Sequence, residues 1–223
     1  MSYSDLCSGS GRAAVWTIGH STHPAEEFVE LLHTHEIEAL VDVRSFPASR
    51  RCPWFDETPM RDWLGTAGIG YTHLRALGGR RGKQRGIDPA VNGGWRNTSF
   101  HNYADYTSTA AYAEGLADLQ TRARKCRLAF MCAEAVPWRC HRSLIASSLT
   151  AADWEVRHIL DRSAAELHVL GEWGPEPVVD ARRVTYPAQP RQLTLDLGSH
   201  RTRGSASGVD RTAAVVSSTT STR

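Results

Sequence analysis

Reactive side chains are concentrated between residues 128 and 146. A thiol and a carboxylate, Cys132 and Glu134, stand two positions apart. A second group of polar residues follows directly in the sequence: Arg139, Cys140, His141 and Arg142. Thiols, carboxylates and imidazoles serve as nucleophiles and proton carriers, whereas guanidinium groups hold anions. The segment therefore carries the side chains needed for acid–base or nucleophilic chemistry on an anionic substrate.

A strand, a loop and a helix are predicted to position these groups. Leu128–Met131 is a short, continuous apolar run, as is typical of a buried strand. Pro137 suits the first position of a helix, which we predict over Trp138–Leu149. Cys132 and Glu134 would then lie in the loop at the strand end, beside a helix N-terminus that favours anions.

Two earlier strands are also followed by polar residues. Val15–Ile18 precedes His20, and Ala39–Val43 contains Asp42 and precedes Arg44. A helix opening at Pro24 between these strands makes a βαβ unit, so the strands are parallel and their carboxyl ends share one crevice. We predict that this crevice contains catalytic residues (Asp42, Glu134, His141, His20 and Cys132) and phosphate-binding residues (Arg44, Arg139 and Arg142). In the alternative interpretation, Asp42–Arg44 and Glu134–Arg142 are ion pairs that support loops.

The remaining pattern predicts an α/β fold with three layers, in which helices flank a mainly parallel sheet. Further helices are expected from Thr58 to about Ala67, over residues 105–124 and over residues 164–170, and further strands at Tyr71–Leu74 and Glu155–Leu160. The single domain would span residues 14–186. Residues 1–13 are expected to be disordered, and residues 187–223 to form a flexible tail.

Cys132 allows three interpretations. It is a nucleophile if the helix N-terminus and neighbouring cations lower its pKa. It is a metal ligand if Cys140, His141 and a fourth group join it, but the C-x7-C-H spacing is not a standard zinc pattern, so we predict no metal and no cofactor. It is inert if it is simply a small buried residue. A cysteine-phosphatase loop requires five residues between Cys and Arg, whereas six separate Cys132 from Arg139.

A basic, glycine-rich segment over residues 75–96 contains a single acid, Asp88. Its cations and its tryptophan suit a phosphate backbone with aromatic stacking, so we predict a nucleic-acid-binding role for Arg80, Arg81, Lys83, Arg85, Trp95 and Arg96. It is not a phosphate-binding loop of the Walker type, because Gln84 replaces the Ser or Thr that follows the lysine. The alternative interpretation is a solvated, mobile loop.

A short peptide near the C-terminus, residues 191–197, resembles the bacterial sliding-clamp-binding motif Gln-Leu-x-Leu-x-Leu. Apolar pockets would receive three leucines while a glutamine bonds at the rim: Gln192, Leu193, Leu195 and Leu197. An edge strand has the same alternation of leucine and polar residues, so the motif is a hypothesis about a partner.

The composition favours a cytoplasmic protein. The 223 residues carry a net charge of +2 and contain no apolar run long enough to cross a bilayer. Residues 1–12 lack the apolar stretch of a signal peptide, and the five cysteines do not form a regular disulfide framework. No membrane association is expected, and the oligomeric state stays open.

Several of these motifs occur together in the DUF488 family, which the chain resembles over roughly residues 14–165. They are Thr17–Ser21, Val41–Pro47, Leu77–Gly79, Tyr103–Tyr106, Met131–Glu134 and Pro137–Arg142. The resemblance implies a bacterial or archaeal cytoplasmic α/β protein and implies no particular reaction.

The leading functional hypothesis is a DNA-maintenance protein that binds nucleic acid or a nucleotide. Its crevice would hydrolyse DNA or a damaged base, and the clamp motif would recruit it to replication sites. The first alternative is a Cys132-dependent enzyme acting on a small anionic metabolite. The second is an accessory module that binds nucleic acid or the clamp without catalysis.

Overall fold

A mainly parallel six-stranded sheet forms the centre of the protein. The computed structural model describes residues 13–188. The parallel strands are β1 (Ala14–Gly19), β2 (Ala39–Asp42), β3 (Gly70–His73), β4 (Leu128–Cys132) and β5 (Glu155–Ile159). The antiparallel strand β6 (Glu166–Leu167) completes the order β3-β2-β4-β1-β5-β6. Strands β7 (Val178–Asp180) and β8 (Arg183–Thr185) form a separate hairpin.

Helices cover both faces of this sheet, which confirms the expected α/β class. The helices are α1 (Ala25–Thr34), α2 (Glu57–Thr66), α3 (Thr98–Tyr106), α4 (Ala110–Ala123) and α5 (Arg142–Ala151). Residues of α1 and α2 share one core cluster, and residues of α3, α4 and α5 share the other. Strand β4 contributes side chains to both clusters, since Leu128 and Phe130 belong to one cluster, and Ala129 and Met131 belong to the other. A strand covered on both faces reads as a continuous apolar run.

The strand order brings three strand ends together. Strand β4 lies between β2 and β1, with Cys132 opposite Gly19 and Met131 opposite Asp42. The chain leaves the neighbouring strands β1 and β4 in opposite directions along the sheet. From β1 it passes through α1 to β2, and from β4 it passes through α5 to β5. Ligands of open α/β sheets bind at the carboxyl ends of strands at such a reversal.

Two predicted helices are wrong in extent. The helix expected over residues 105–124 begins only at Ala110, because residues 105–106 end α3 and the hydroxyl groups of Thr107 and Thr109 donate to the backbone carbonyls of Ala104 and Tyr106 at the break. Thr109 also caps α4 by accepting from the backbone N–H of Tyr112. The helix expected over residues 138–149 is a 3₁₀ turn at 137–139, an extended Cys140 and then α5.

A third expectation, a short helix over residues 164–170, is also wrong. Glu166–Leu167 pairs with β5 instead, because the otherwise open edge of β5 supplies backbone hydrogen-bond partners to this segment. The predicted clamp-binding residues 192–197 lie outside the part of the chain that the structure describes, as do residues 1–12 and 189–223. Within residues 13–188, no helix combines the length and apolar character needed to cross a membrane.

Candidate functional site: a thiol–imidazole centre in an arginine-lined cleft

A cleft of about 1130 Å³ opens at the carboxyl ends of β2 and β4. Its walls come from the loops that follow β2 and β4, from the 79–82 segment and from α3. Five arginines line it, and one acid, Glu134, faces them: the arginines are Arg44, Arg50, Arg80, Arg81 and Arg139. This excess of guanidinium groups gives the cleft a positive potential that attracts anions.

Cys132, Cys140 and His141 line the same cleft, and their side chains converge. His141 Nδ1 lies 3.8 Å from Cys132 Sγ and 3.6 Å from Cys140 Sγ. The three atoms all lie within 4.8 Å of one another. On the opposite side of the ring, His141 Nε2 donates to the Val43 carbonyl at 3.0 Å. Because a carbonyl only accepts, this bond places the ring proton on Nε2 and leaves the Nδ1 lone pair toward the sulfurs.

The pKa values of the two thiols are shifted in opposite directions. Interaction with Cys140 and burial raise the pKa of Cys132 well above that of an ordinary thiol. Burial alone would raise the pKa of Cys140 too, but interaction with Cys132 and with His141 lowers it well below the usual range. The thiol of Cys132 therefore holds its proton more strongly than the thiol of Cys140 does.

Close backbone approach fixes the imidazole. A Cβ added to Gly79 would lie 2.3 Å from His141 Nδ1, so only glycine fits beside the ring. Tyr103 packs against the same ring edge to face, with the centroids 4.9 Å apart. These two neighbours and the Val43 carbonyl hold His141 in one orientation.

Asp42 is fully buried and supports Arg44. Its carboxylate accepts from Arg44 Nη2 at 2.6 Å and from Arg44 Nε at 3.0 Å, and it also accepts from the Tyr71 hydroxyl at 3.0 Å. It does not line the cleft. The sequence-based alternative of a supporting Asp42–Arg44 ion pair matches this geometry. Glu134 is therefore the carboxylate that the structure places within reach of a substrate.

His20 lies behind the cleft wall. Its ring stacks on Phe55 with the centroids 4.3 Å apart, and only 2% of the residue is exposed. Burial and the neighbouring Arg44 lower the pKa of His20 to about 4, so it is neutral at neutral pH. This position suits packing against Arg44, whose Nη1 lies 3.4 Å from His20 Nε2.

Arg142 is buried beneath the loop that carries Glu134. Its guanidinium donates to the Thr17 hydroxyl at 2.9 Å and to the backbone carbonyls of Glu134 and Ala135 at 2.6 and 3.3 Å. It does not line the cleft. The side chain predicted to bind phosphate thus anchors the loop, and its bond to Glu134 uses the main chain rather than the carboxylate.

The basic segment divides into two parts. Arg80 and Arg81 reach the cleft, whereas Lys83, Arg85 and Arg96 are exposed outside it. Arg81 donates to the carbonyls of residues 75, 76 and 78 and lies 3.8 Å from the Tyr106 ring centre, so it also shapes the loop.

Trp95 packs against two other aromatic rings. Its ring stacks on Phe100 with the centroids 4.8 Å apart and meets the Tyr186 ring at 5.4 Å. It belongs to the fringe of the core. The aromatic residue predicted for nucleic-acid binding is therefore half-buried and packs against residues of the core.

Three residues of the site are not predicted as functional groups by the sequence pattern. The sequence pattern predicts no role for Arg50, places Gly79 only in a family motif, and offers Cys140 only as a ligand of a metal site with non-standard spacing. The sequence feature that could have indicated this site is the presence of three residues of metal-ligand type, Cys132, Cys140 and His141, within ten positions. Their convergence depends on Cys140 being extended, with φ of −132° and ψ of 145°, rather than helical.

Comparison with known proteins gives one relationship. Residues 24–149 match the family described as "Domain of unknown function DUF488", which covers more than half of the chain. The chain belongs to the DUF488 family. The match includes the strand ends that bear Asp42 and Cys132, the 79–82 segment and the start of α5. Searches of curated proteins and of solved structures find no match.

Proposed function

We propose that this DUF488 protein is a hydrolase of DNA or of nucleotides that serves DNA maintenance, and that it holds its substrate by phosphate groups in the arginine-lined cleft. The observation that carries the proposal is the meeting of five arginines with Cys132, Cys140, His141 and Glu134 in one cleft. Guanidinium groups bind phosphate oxygens by paired, charge-assisted hydrogen bonds.

The size of the cleft supports a substrate larger than a small metabolite. Its volume of about 1130 Å³ exceeds the range of roughly 300–1000 Å³ found for pockets that enclose drug-sized ligands. A nucleotide or a short stretch of a strand fits such a space. Arg80 and Arg139 are exposed on its walls, where they can reach phosphate groups without breaking any buried contact.

Glu134 provides the proton transfers of this proposal. Glu134 is exposed and is the acid among the cleft-lining residues, so it is placed to take a proton from water. Arginines that hold the phosphate also stabilise negative charge that develops on its oxygens during hydrolysis.

A binding experiment tests the phosphate-binding part. Fluorescence polarisation of a labelled single-stranded oligonucleotide compares Arg80→Ala/Arg139→Ala with the control Arg61→Ala/Arg162→Ala, which removes two exposed guanidinium groups away from the cleft. We expect at least about tenfold weaker binding only in the first variant, because charge-assisted bonds contribute about 1.5–3 kcal/mol each. The slope of log K against log salt, which is negative, should decrease in magnitude by about 1.4, since each single-strand phosphate contact contributes about 0.7. Equal affinity in both variants would contradict the proposal.

Turnover decides between a hydrolase and an accessory module. Mass spectrometry of oligonucleotides and nucleotides incubated with the wild type and with Glu134→Gln detects hydrolysis products. Products from the wild type alone support the hydrolase. Salt-sensitive binding without products from either protein would replace it by the non-catalytic nucleic-acid-binding module.

A second candidate function is a thiol-dependent enzyme on an anionic metabolite, and the lowered pKa of Cys140 favours it. In this geometry Cys140, rather than Cys132, would be the nucleophile. Mass spectrometry after brief iodoacetamide treatment at pH 7 should show alkylation of Cys140 faster than that of Cys126, whose pKa burial raises. Slower reaction of Cys140 would reject this candidate.

Recruitment to the bacterial sliding clamp remains part of the proposal through residues 192–197, and its support is the sequence motif. Surface plasmon resonance with a purified clamp compares the wild type with Gln192→Ala/Leu195→Ala and with the control Thr194→Ala, which alters a position the motif leaves free. Saturable binding lost only in the double variant is expected. Absence of wild-type binding would remove the clamp from the proposal.

A further inference from the structure

We propose that Cys132, Cys140 and His141 bind one zinc ion and leave its fourth coordination position open to the cleft. The three side chains come from two places in the chain: Cys132 ends β4, and the consecutive residues Cys140 and His141 directly precede α5. Their ligand atoms nevertheless point at one volume.

The distances suit a tetrahedral centre. Zinc bonds of about 2.3 Å to sulfur and about 2.0–2.1 Å to nitrogen place tetrahedral ligands about 3.8 Å apart for two sulfurs and about 3.5 Å apart for sulfur and nitrogen. The observed sulfur–nitrogen distances are 3.8 and 3.6 Å. The third separation, between the sulfurs, lies within 4.8 Å and needs at most a small rotation of either cysteine.

The orientation of His141 is that of a metal ligand. Metal-binding histidines almost always donate their second ring N–H to a carbonyl or a carboxylate, which fixes the tautomer and aims the lone pair. His141 makes this bond to Val43 and directs Nδ1 at both sulfurs. Gly79 leaves room beside Nδ1 that any larger residue would fill.

The ligand types select the metal. Two sulfurs and one imidazole favour zinc over magnesium or calcium, which take oxygen ligands. Within residues 13–188, no fourth cysteine, histidine or carboxylate joins this cluster. Three protein ligands with an open position are typical of catalytic zinc sites, whereas structural sites have four.

The use of this ion rests on the proposed hydrolase function. Zinc lowers the pKa of a bound water to about 7, which yields a hydroxide near neutral pH. Glu134 accepts the proton that the water loses. The hydroxide oxygen forms a bond to phosphorus, the bond from phosphorus to the leaving oxygen breaks, and that oxygen receives the proton from Glu134.

Metal analysis of the full-length protein, purified without chelator or histidine tag, is the first test. We expect one zinc per chain by inductively coupled plasma mass spectrometry, and a loss of at least tenfold in zinc occupancy in Cys140→Ser and in His141→Gln. Cys126→Ser is the matched control, because this half-buried thiol lies outside the cleft. Zinc retained equally by all variants would place the ion elsewhere and overturn the proposal.

Cobalt substitution keeps the test independent of whether the variants fold. The wild-type protein, stripped of metal and titrated with Co²⁺, should develop a thiolate-to-cobalt charge-transfer band and the visible bands of a tetrahedral site. Substoichiometric zinc together with no such bands rejects the site. Zinc binding with no oligonucleotide binding would support the zinc site and reject the proposed function. Oligonucleotide binding with no zinc would reject the zinc site and support the proposed function.

Discussion

Replacement of Gly79 by alanine tests the close packing around His141. The new Cβ would lie 2.3 Å from Nδ1, 2.7 Å from Cγ and 2.8 Å from Cε1 of His141. Ordinary contacts are about 3.5–4.0 Å, so one partner has to move by about 1 Å. The loop cannot move easily, because the Arg80 backbone N–H donates to Ser45 Oγ at 2.7 Å and Arg81 donates to the carbonyl of Gly78. The ring is therefore the part that shifts.

A shift of that size has consequences for stability and for the site. The bond from His141 to the Val43 carbonyl, now 3.0 Å, would break, and overpacking of this kind destabilises a protein by about 1–3 kcal/mol. For a chain of this length each kcal/mol lowers Tm by about 2–4 °C. Loss of an orienting partner weakens metal affinity by about 10- to 100-fold. We therefore expect a Tm roughly 5 °C lower and zinc binding weakened by at least tenfold.

Differential scanning fluorimetry and competition with a chromophoric chelator measure these two effects. Gly82→Ala is the matched control, since no atom lies within 4 Å of the Cβ it would add in the same loop. The control should keep the wild-type Tm and zinc affinity. Wild-type values in Gly79→Ala would refute the argument that this glycine positions His141.

Two further predictions concern the buried polar groups. Asp42→Asn should reduce the free energy of unfolding, measured by urea denaturation, by about 3–5 kcal/mol, because it leaves Arg44, only 4% exposed, without its charged partner. Asp180→Asn, at an exposed position, is the control, and an equally small loss in both variants would contradict this. Burial lowers the pKa of His158 to about 3 and of His168 to about 4, so both stay neutral in the fold while they take up protons in the unfolded chain below pH 6.5. The contribution of these histidines to the free energy of unfolding should be fully present above pH 6.5 and should fall by about 1.4 kcal/mol per pH unit for each histidine as the pH drops toward 5. A free energy of unfolding that stays constant over this range in urea denaturation would disprove the prediction.

The Asp42 prediction changes how the site is tested. A buried ion pair that holds Arg44 affects folding and activity together, so activity loss in Asp42→Asn says little about catalysis. Glu134 is exposed on the cleft wall, and its side chain can be changed without removing a buried partner. Glu134→Gln is therefore the variant that separates chemistry from folding.

Local patterns predicted the framework well. The apolar run at Leu128–Met131 and the strand–helix–strand spacing of residues 15–43 identified strands and a parallel crossover within one or two residues of their observed bounds. Such elements are determined by nearest neighbours and by burial on two faces, both of which are visible in the residue order. Helix ends were less accurate where side chains compete for backbone bonds, as at Thr107 and Thr109.

The sequence by itself determined which side chains stand at the strand ends, because the carboxyl edge of a parallel sheet follows from the order of strands and helices. It did not determine which of them reach the cleft. His20, Asp42 and Arg142 turn into the protein, whereas Cys132, Glu134 and His141 face the opening. That difference arises from contacts between residues far apart in the chain, such as Arg142 with Thr17 and His141 with Val43. Only the packed tertiary structure brings these partners together, and their hydrogen bonds decide the direction of each side chain.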